Sequence, residues 1–118
     1  MRNFENLRIW QDSRVFVVEI FNLFDNSREF GLKDQIKRAS ISIMNNIAEG
    51  SESGTDKMYL RYLQIAKGSC SEVKSMLYIC EDLKICNNIK AKELRDNADQ
   101  ISSGIYKFIQ YLKTQTKL

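Results

Sequence analysis

The spacing of apolar residues constrains this chain more than any other feature. Leu94, Ala98, Ile101, Ile105, Phe108 and Leu112 follow one another at alternating steps of three and four. Such steps put all six on one face of an α-helix, over about 90–115. The same period recurs upstream. Tyr59, Tyr62, Leu63, Ala66, Cys70, Val73, Leu77 and Cys80 mark a helix over about 55–86, and Ile36, Ala39, Ile43 and Ile47 one over about 33–50 closed by Gly50. Leu7, Trp10, Val17, Val18, Phe21 and Phe24 mark the first, over about 6–25.

The segments between these stripes are short and polar: "DNSREFGLKD" around Gly31, "GSESGTDK" and "CNNIKAK". Asn3 or Asn6 suits the start of the first helix, and Ser53 with Asp56 fits a capping box before the third. Proline is absent and the 118 residues hold only five glycines, which disfavours the tight turns of an all-β fold. The expected fold is all-α: one domain over 1–118, an antiparallel up-down-up-down four-helix bundle. Gly68 lies mid-helix, where glycine costs about 1 kcal/mol relative to alanine. Close approach of a neighbouring helix is the expected reason, and Gly104 interrupts the last helix in the same way.

A bundle helix needs one apolar stripe, but two of these helices carry two. Ile9, Phe16, Ile20 and Leu23 form a second stripe on the first helix, and Ile41, Met44 and Ala48 a second group on the next. Surplus apolar surface becomes an interface, so a homo-oligomer is expected, with Ile9, Phe16, Ile20, Leu23, Ile41 and Met44 as candidate contacts. Between the two groups runs a polar stripe of Gln35, Arg38, Ser42, Asn46 and Glu49. Arg38 is expected to pair with Glu72 or Glu49, and Asn46 to bond between helices, because unsatisfied buried groups cost roughly 1–3 kcal/mol each.

Histidine is absent, which removes the commonest general base and zinc ligand and excludes His-based hydrolase triads. There is no Cys-x-x-Cys or Glu-x-x-His pair, and Cys70, Cys80 and Cys86 read as small hydrophobes. "GSESGTDK" lacks both the Lys-Ser/Thr pair and the leading strand of a phosphate loop. No catalytic residue, metal or cofactor is expected, and the chain reads as a non-enzyme. No run of eighteen apolar residues exists and "MRNFENLRIW" has no signal-peptide core, so no membrane partner and a cytoplasmic location are expected.

Charge is the remaining signal. The formal net charge is +3, but residues 1–56 carry 7 basic and 9 acidic groups and residues 57–118 carry 11 and 6. The candidate phosphate contacts are Lys67, Lys74, Lys90, Lys92, Arg95, Lys107, Lys113 and Lys117. Repetition of a modest patch around an oligomer concentrates its field.

"FENLRIWQDS", "QIKRASISIMNNIAEG" and "YLRYLQIAKGSCSEV" together resemble the four-helix bundle family named for the 23S ribosomal RNA intervening-sequence protein. The family pattern falls on Trp10, Gln35, Arg38, Ala39, Ser42, Asn46, Ile47, Ala48, Glu49, Gly50, Ala66, Gly68, Ser69 and Glu72, with Met44 where a proline is common. The resemblance implies a bacterial bundle without enzymatic activity, assembled as a pentameric ring. A related branch, the accessory protein of diversity-generating retroelements, implies RNA or DNA and a reverse transcriptase as partners. The leading expectation is therefore a non-catalytic, oligomeric nucleic-acid binder. The alternative is a protein–protein adaptor.

Overall fold

A computed structural model describes residues 3–24 and 27–116, residue 116 by its backbone alone. A short 3-10 turn, Phe4–Asn6, precedes four helices: α1 (Arg8–Asn22), α2 (Phe30–Ser51), α3 (Asp56–Asp82) and α4 (Asn88–Thr116). Each helix packs on its neighbours in sequence, and α1 also packs on α4, which closes the bundle. Cross-helix contacts fix the directions. Gly50 meets Tyr59 and Ser42 meets Ser69, Lys74 meets Asp99 and Glu81 meets Arg95, Ile9 meets Gly104 and Glu19 meets Asn97. Each pair steps forward on one helix and back on the other, so α2/α3, α3/α4 and α1/α4 all run antiparallel. The molecule is a rod of 47 × 20 × 20 Å.

The caps account for the boundary shifts. Asn3 caps the 3-10 turn by accepting from the Glu5 amide, while extended Leu7 delays α1 to Arg8. Asp25, where the first helix was expected to end, lies outside the described residues. Thr55, and not Ser53, caps α3: its hydroxyl accepts from the Met58 amide at 3.2 Å. Asn87 accepts from the Lys90 amide at 2.7 Å and starts α4 two residues early. At the other end of α3 the Ile85 amide donates to the Cys80 carbonyl and the Lys84 amide to the Glu81 carbonyl, a Schellman arrangement. It holds Lys84 at φ 60°, the left-handed region that favours glycine.

The expected stripes of α3 and α4 form the core, with Tyr62 and Phe108 only half-buried. On α1 the expectation is corrected. Phe16 (1% exposed) and Ile20 (0%) face this chain's own core and are not available to a second copy. Ile9 and Leu23 are half-buried against that core, and Ile41 and Met44 on α2 are half-buried. The apolar residues that α1 leaves in solvent are Val15 (61%) and Val18 (55%). Of the other stripe, Phe24 is also buried and Leu7 and Trp10 pack on the core, so the core draws on both stripes, a choice that packing makes and spacing does not.

The glycines also separate. A Cβ on Gly50 would lie 2.9 Å from both Tyr59 Cδ1 and Tyr62 Cβ, so Gly50 lets α3 press against α2 inside the helix and does not end it. Gly104 admits Ile9 of α1 at 3.0 Å. Gly68 has no atom of a neighbouring helix within 4 Å, which corrects the expectation of close approach within the chain.

Burial pushes the Cys70 thiol up to about 12 and the Cys80 thiol up to about 11. Half-buried Cys86 is raised as well, by its own burial first and by Glu81 next.

These contacts give opposite signs for two alanine substitutions. Gly50→Ala is expected to destabilise by about 1–3 kcal/mol through overpacking. Gly68→Ala is expected to stabilise by about 1 kcal/mol through helix propensity. Urea unfolding midpoints check both. With a thiol reagent at pH 8, Cys86 should react first, and Cys70 and Cys80 only on unfolding, because the thiolate is the reactive form.

Candidate nucleic-acid interface

The polar stripe on α2 meets α3 through one hydroxyl. Asn46 Nδ2 donates to the Ser42 carbonyl at 2.8 Å and to Ser42 Oγ at 3.0 Å, and Ser69 Oγ of α3 donates to Ser42 Oγ at 2.9 Å. Asn46 therefore bonds within α2, and Ser69 makes the cross-helix bond expected of it. Arg38 departs further. Its Nε lies 2.9 Å from Asp34 Oδ2 on the same helix, both side chains well exposed, and it pairs with neither Glu72 nor Glu49. One helical turn separates Asp34 from Arg38, so that pair forms without any tertiary contact. Gln35, Arg38, Ser42, Ser69 and Glu72 line an open α2/α3 groove of about 590 Å³. Gln35 and Glu49 are exposed.

The basic candidates divide by position along the α3–α4 hairpin. Near its turn, each is matched by a carboxylate. Lys74 lies 3.0 Å from Asp99, Lys92 3.0 Å from Asp96, and Lys90 3.4 Å from Glu93 and 3.9 Å from Glu19. Arg95 is the most enclosed, 13% exposed, with Nη1 2.9 Å from Glu81 Oε1 and its guanidinium 4.0 Å from the Tyr78 ring centroid. The Glu81 hydrogen bond raises Arg95 above its ordinary value, against a smaller opposing effect of burial.

The open end of the hairpin differs. Antiparallel register puts the first half of α3 beside the second half of α4. Residues 57–71 and 100–116 contain no acidic residue, and they carry Lys57, Arg61, Lys67, Lys107 and Lys113. None of the five is in an ion pair among the described residues, and all but half-buried Lys67 are exposed. Exposed Tyr106 and Tyr111 stand among them. Lys117 lies outside the described residues. Lys57 and Arg61 were absent from the expected set because Asp56 and Glu52 precede them in sequence, while α4, which supplies the like charges, is some fifty residues away. Among the described residues no cluster of three or more His, Cys, Asp or Glu side chains is placed to hold a metal. No helix there is long and apolar enough to cross a membrane.

Ser42→Ala is expected to cost about 1–2 kcal/mol, because it strips the Ser69 hydroxyl and the Asn46 amide of their shared partner. Arg38→Ala should stay within about 0.5 kcal/mol, since exposed pairs contribute little. Chemical denaturation of the two variants distinguishes the cases.

Comparison with known proteins follows the architecture. No curated protein matches the chain. Among solved structures, the crystal structure of a protein of unknown function from the S23 ribosomal protein family of Bacteroides thetaiotaomicron superposes with a TM-score of 0.81 at 22% identity. The match covers 86% of this chain and 95% of that one, and at this identity it shows a shared fold. The sequence profile of the 23S rRNA-intervening sequence proteins matches residues 5–107, nearly the whole bundle. The chain belongs to the 23S rRNA-intervening sequence protein family.

Proposed function

We propose that this protein is a non-catalytic, homo-oligomeric bundle that binds RNA or DNA through the open end of the α3–α4 hairpin. The observation that carries the reading is that the neighbouring stretches 57–71 and 100–116 hold Lys57, Arg61, Lys67, Lys107 and Lys113 and no acidic residue. Cations without carboxylate partners release counterions when they meet phosphates, and that release is the main source of such affinity. Gly68 supports the reading from another direction. It costs helix stability, meets nothing inside the chain, and leaves a flat place on the exposed side of α3 for a body outside it. Val15 and Val18 on α1 support self-association, since solvent-facing valines one turn apart are a ready contact for a second copy. A ring of five, as the family resemblance implies, multiplies the charge of +3 carried by each chain.

Binding to a structured RNA across a salt series tests the reading. Affinity should fall as salt rises, with a log–log slope of about −0.7 to −0.9 per phosphate neutralised. The double change Lys107→Ala and Lys113→Ala should reduce the slope by about 2, while Lys74→Ala and Lys92→Ala leave it nearly unchanged. No association at low salt with several RNAs would end the nucleic-acid reading. In light scattering the protein should exceed the single-chain mass severalfold at micromolar concentration, and Val15→Glu with Val18→Glu should return it to the monomer. A monomeric parent protein would refute the assembly. An adaptor role is favoured instead if a defined protein partner is retained after nuclease treatment.

A further inference from the structure

Where α2 and α4 end and α3 begins, the bundle holds a cavity of about 360 Å³, within the size range of small-molecule clefts, about 300–1,000 Å³. Three aromatic rings stand in its lining. Tyr59, buried in the core, meets Phe108 edge-on at 5.5 Å and 72°, and Phe108 stacks with Tyr111 at 6.1 Å and 12°. The three rings lead from the core to the surface, where Tyr111 is 56% exposed. Phe108 backs the Tyr111 ring on the side toward the core.

A second, independent feature belongs to the same cavity. Ser51 lines it, is only 5% exposed, and its Oγ has no hydrogen-bond partner among the described residues. A buried hydroxyl without a partner is destabilising unless something else supplies the bond. The carboxylate of Asp56 and the amide of Gln115 also line the cavity. Aromatic walls and an unpartnered hydroxyl suit an uncharged ring with polar edges. Lys107 precedes Tyr111 by four residues, one turn back on the same face of α4, and it is exposed.

We propose that this cavity takes an unpaired nucleobase from a single strand of nucleic acid. The base stacks on the Tyr111–Phe108 platform, Ser51 bonds its polar edge, and the strand's phosphates meet Lys107, with Lys113 farther round α4. Stacked aromatics beside unpaired cations are the usual means of holding single strands. In a duplex, paired and stacked bases cannot reach the rings. The inference rests on the nucleic-acid reading above and adds to it a preference for single strands.

Fluorescence anisotropy with a short uridine-rich RNA strand, its blunt duplex and free uridine monophosphate tests it. The strand should bind about tenfold or more tightly than the duplex, and Tyr111→Ala should weaken strand binding about tenfold with no loss of thermal stability. Tyr111→Trp should retain binding. Ser51→Ala should weaken strand binding while leaving the fold as stable or more so, because it removes the unpaired hydroxyl. If Tyr111→Ala and Ser51→Ala bind the strand as the parent does, while Lys107→Ala with Lys113→Ala loses it, the cavity is not the base site and the basic surface stands alone. Absence of binding to strand and duplex alike removes both readings. Free uridine monophosphate competing as well as the strand itself would assign the cavity to mononucleotides and overturn the single-strand preference.

Discussion

One close contact sets the geometry at the open end of the bundle. Gly50 presents bare backbone to Tyr59 and Tyr62, whose atoms lie where any larger residue would put its Cβ. That absence of bulk lets α3 start against the last turns of α2. It puts the Tyr59 ring in the core, where Phe108 of α4 can meet it edge-on. Phe108 in turn backs Tyr111 at the surface. Three helices are thus positioned by one missing side chain, and the aromatic cavity is a consequence of it. Hydrophobic burial supplies the driving force for the bundle, and this contact decides where its parts come to rest.

Antiparallel packing also sorts the charge. The turn end of the α3–α4 hairpin brings Lys74, Lys90, Lys92 and Arg95 to Asp99, Glu93, Asp96 and Glu81, so positive groups there are matched locally. The open end joins two acid-free stretches that are far apart in sequence. A mild excess of basic residues becomes a concentrated one, without any change in the total. Since exposed cations interact over about 8–10 Å at ordinary ionic strength, this grouping matters more than the net charge.

The polar stripe on α2 belongs to the fold more than to the site. Ser42 holds Asn46 on its own helix and Ser69 across the interface, so one side chain ties the register of α2 to that of α3. Arg38 and Glu72 border the same groove but remain unjoined. Spacing had put both on the right sides of their helices, yet their reach toward one another depends on the gap between helices, and in-helix Asp34 is a nearer partner for Arg38.

The linear chain determined a great deal. The three- and four-residue spacing of apolar residues dictated four helices and nearly all of the α3 and α4 core, because periodicity is a local property of the backbone. The family pattern was legible for the same reason, as a run of neighbours around Gly50 and Gly68. Tertiary structure decided what depends on partners distant in sequence. It chose Phe16, Ile20 and Phe24 for the core and left Val15 and Val18 in solvent, since which apolar residues of a helix are covered depends on where its neighbours lie. It matched Lys74 and Arg95 to Asp99 and Glu81 on the facing helix, while Lys92 pairs with Asp96 within α4 itself, and it added Lys57 and Arg61 to the rest, because the net field at a surface is a sum over helices. And it built the cavity at the bundle's end from Ser51, Tyr59 and Tyr111, residues with no common spacing, which only the packing of three helices brings together.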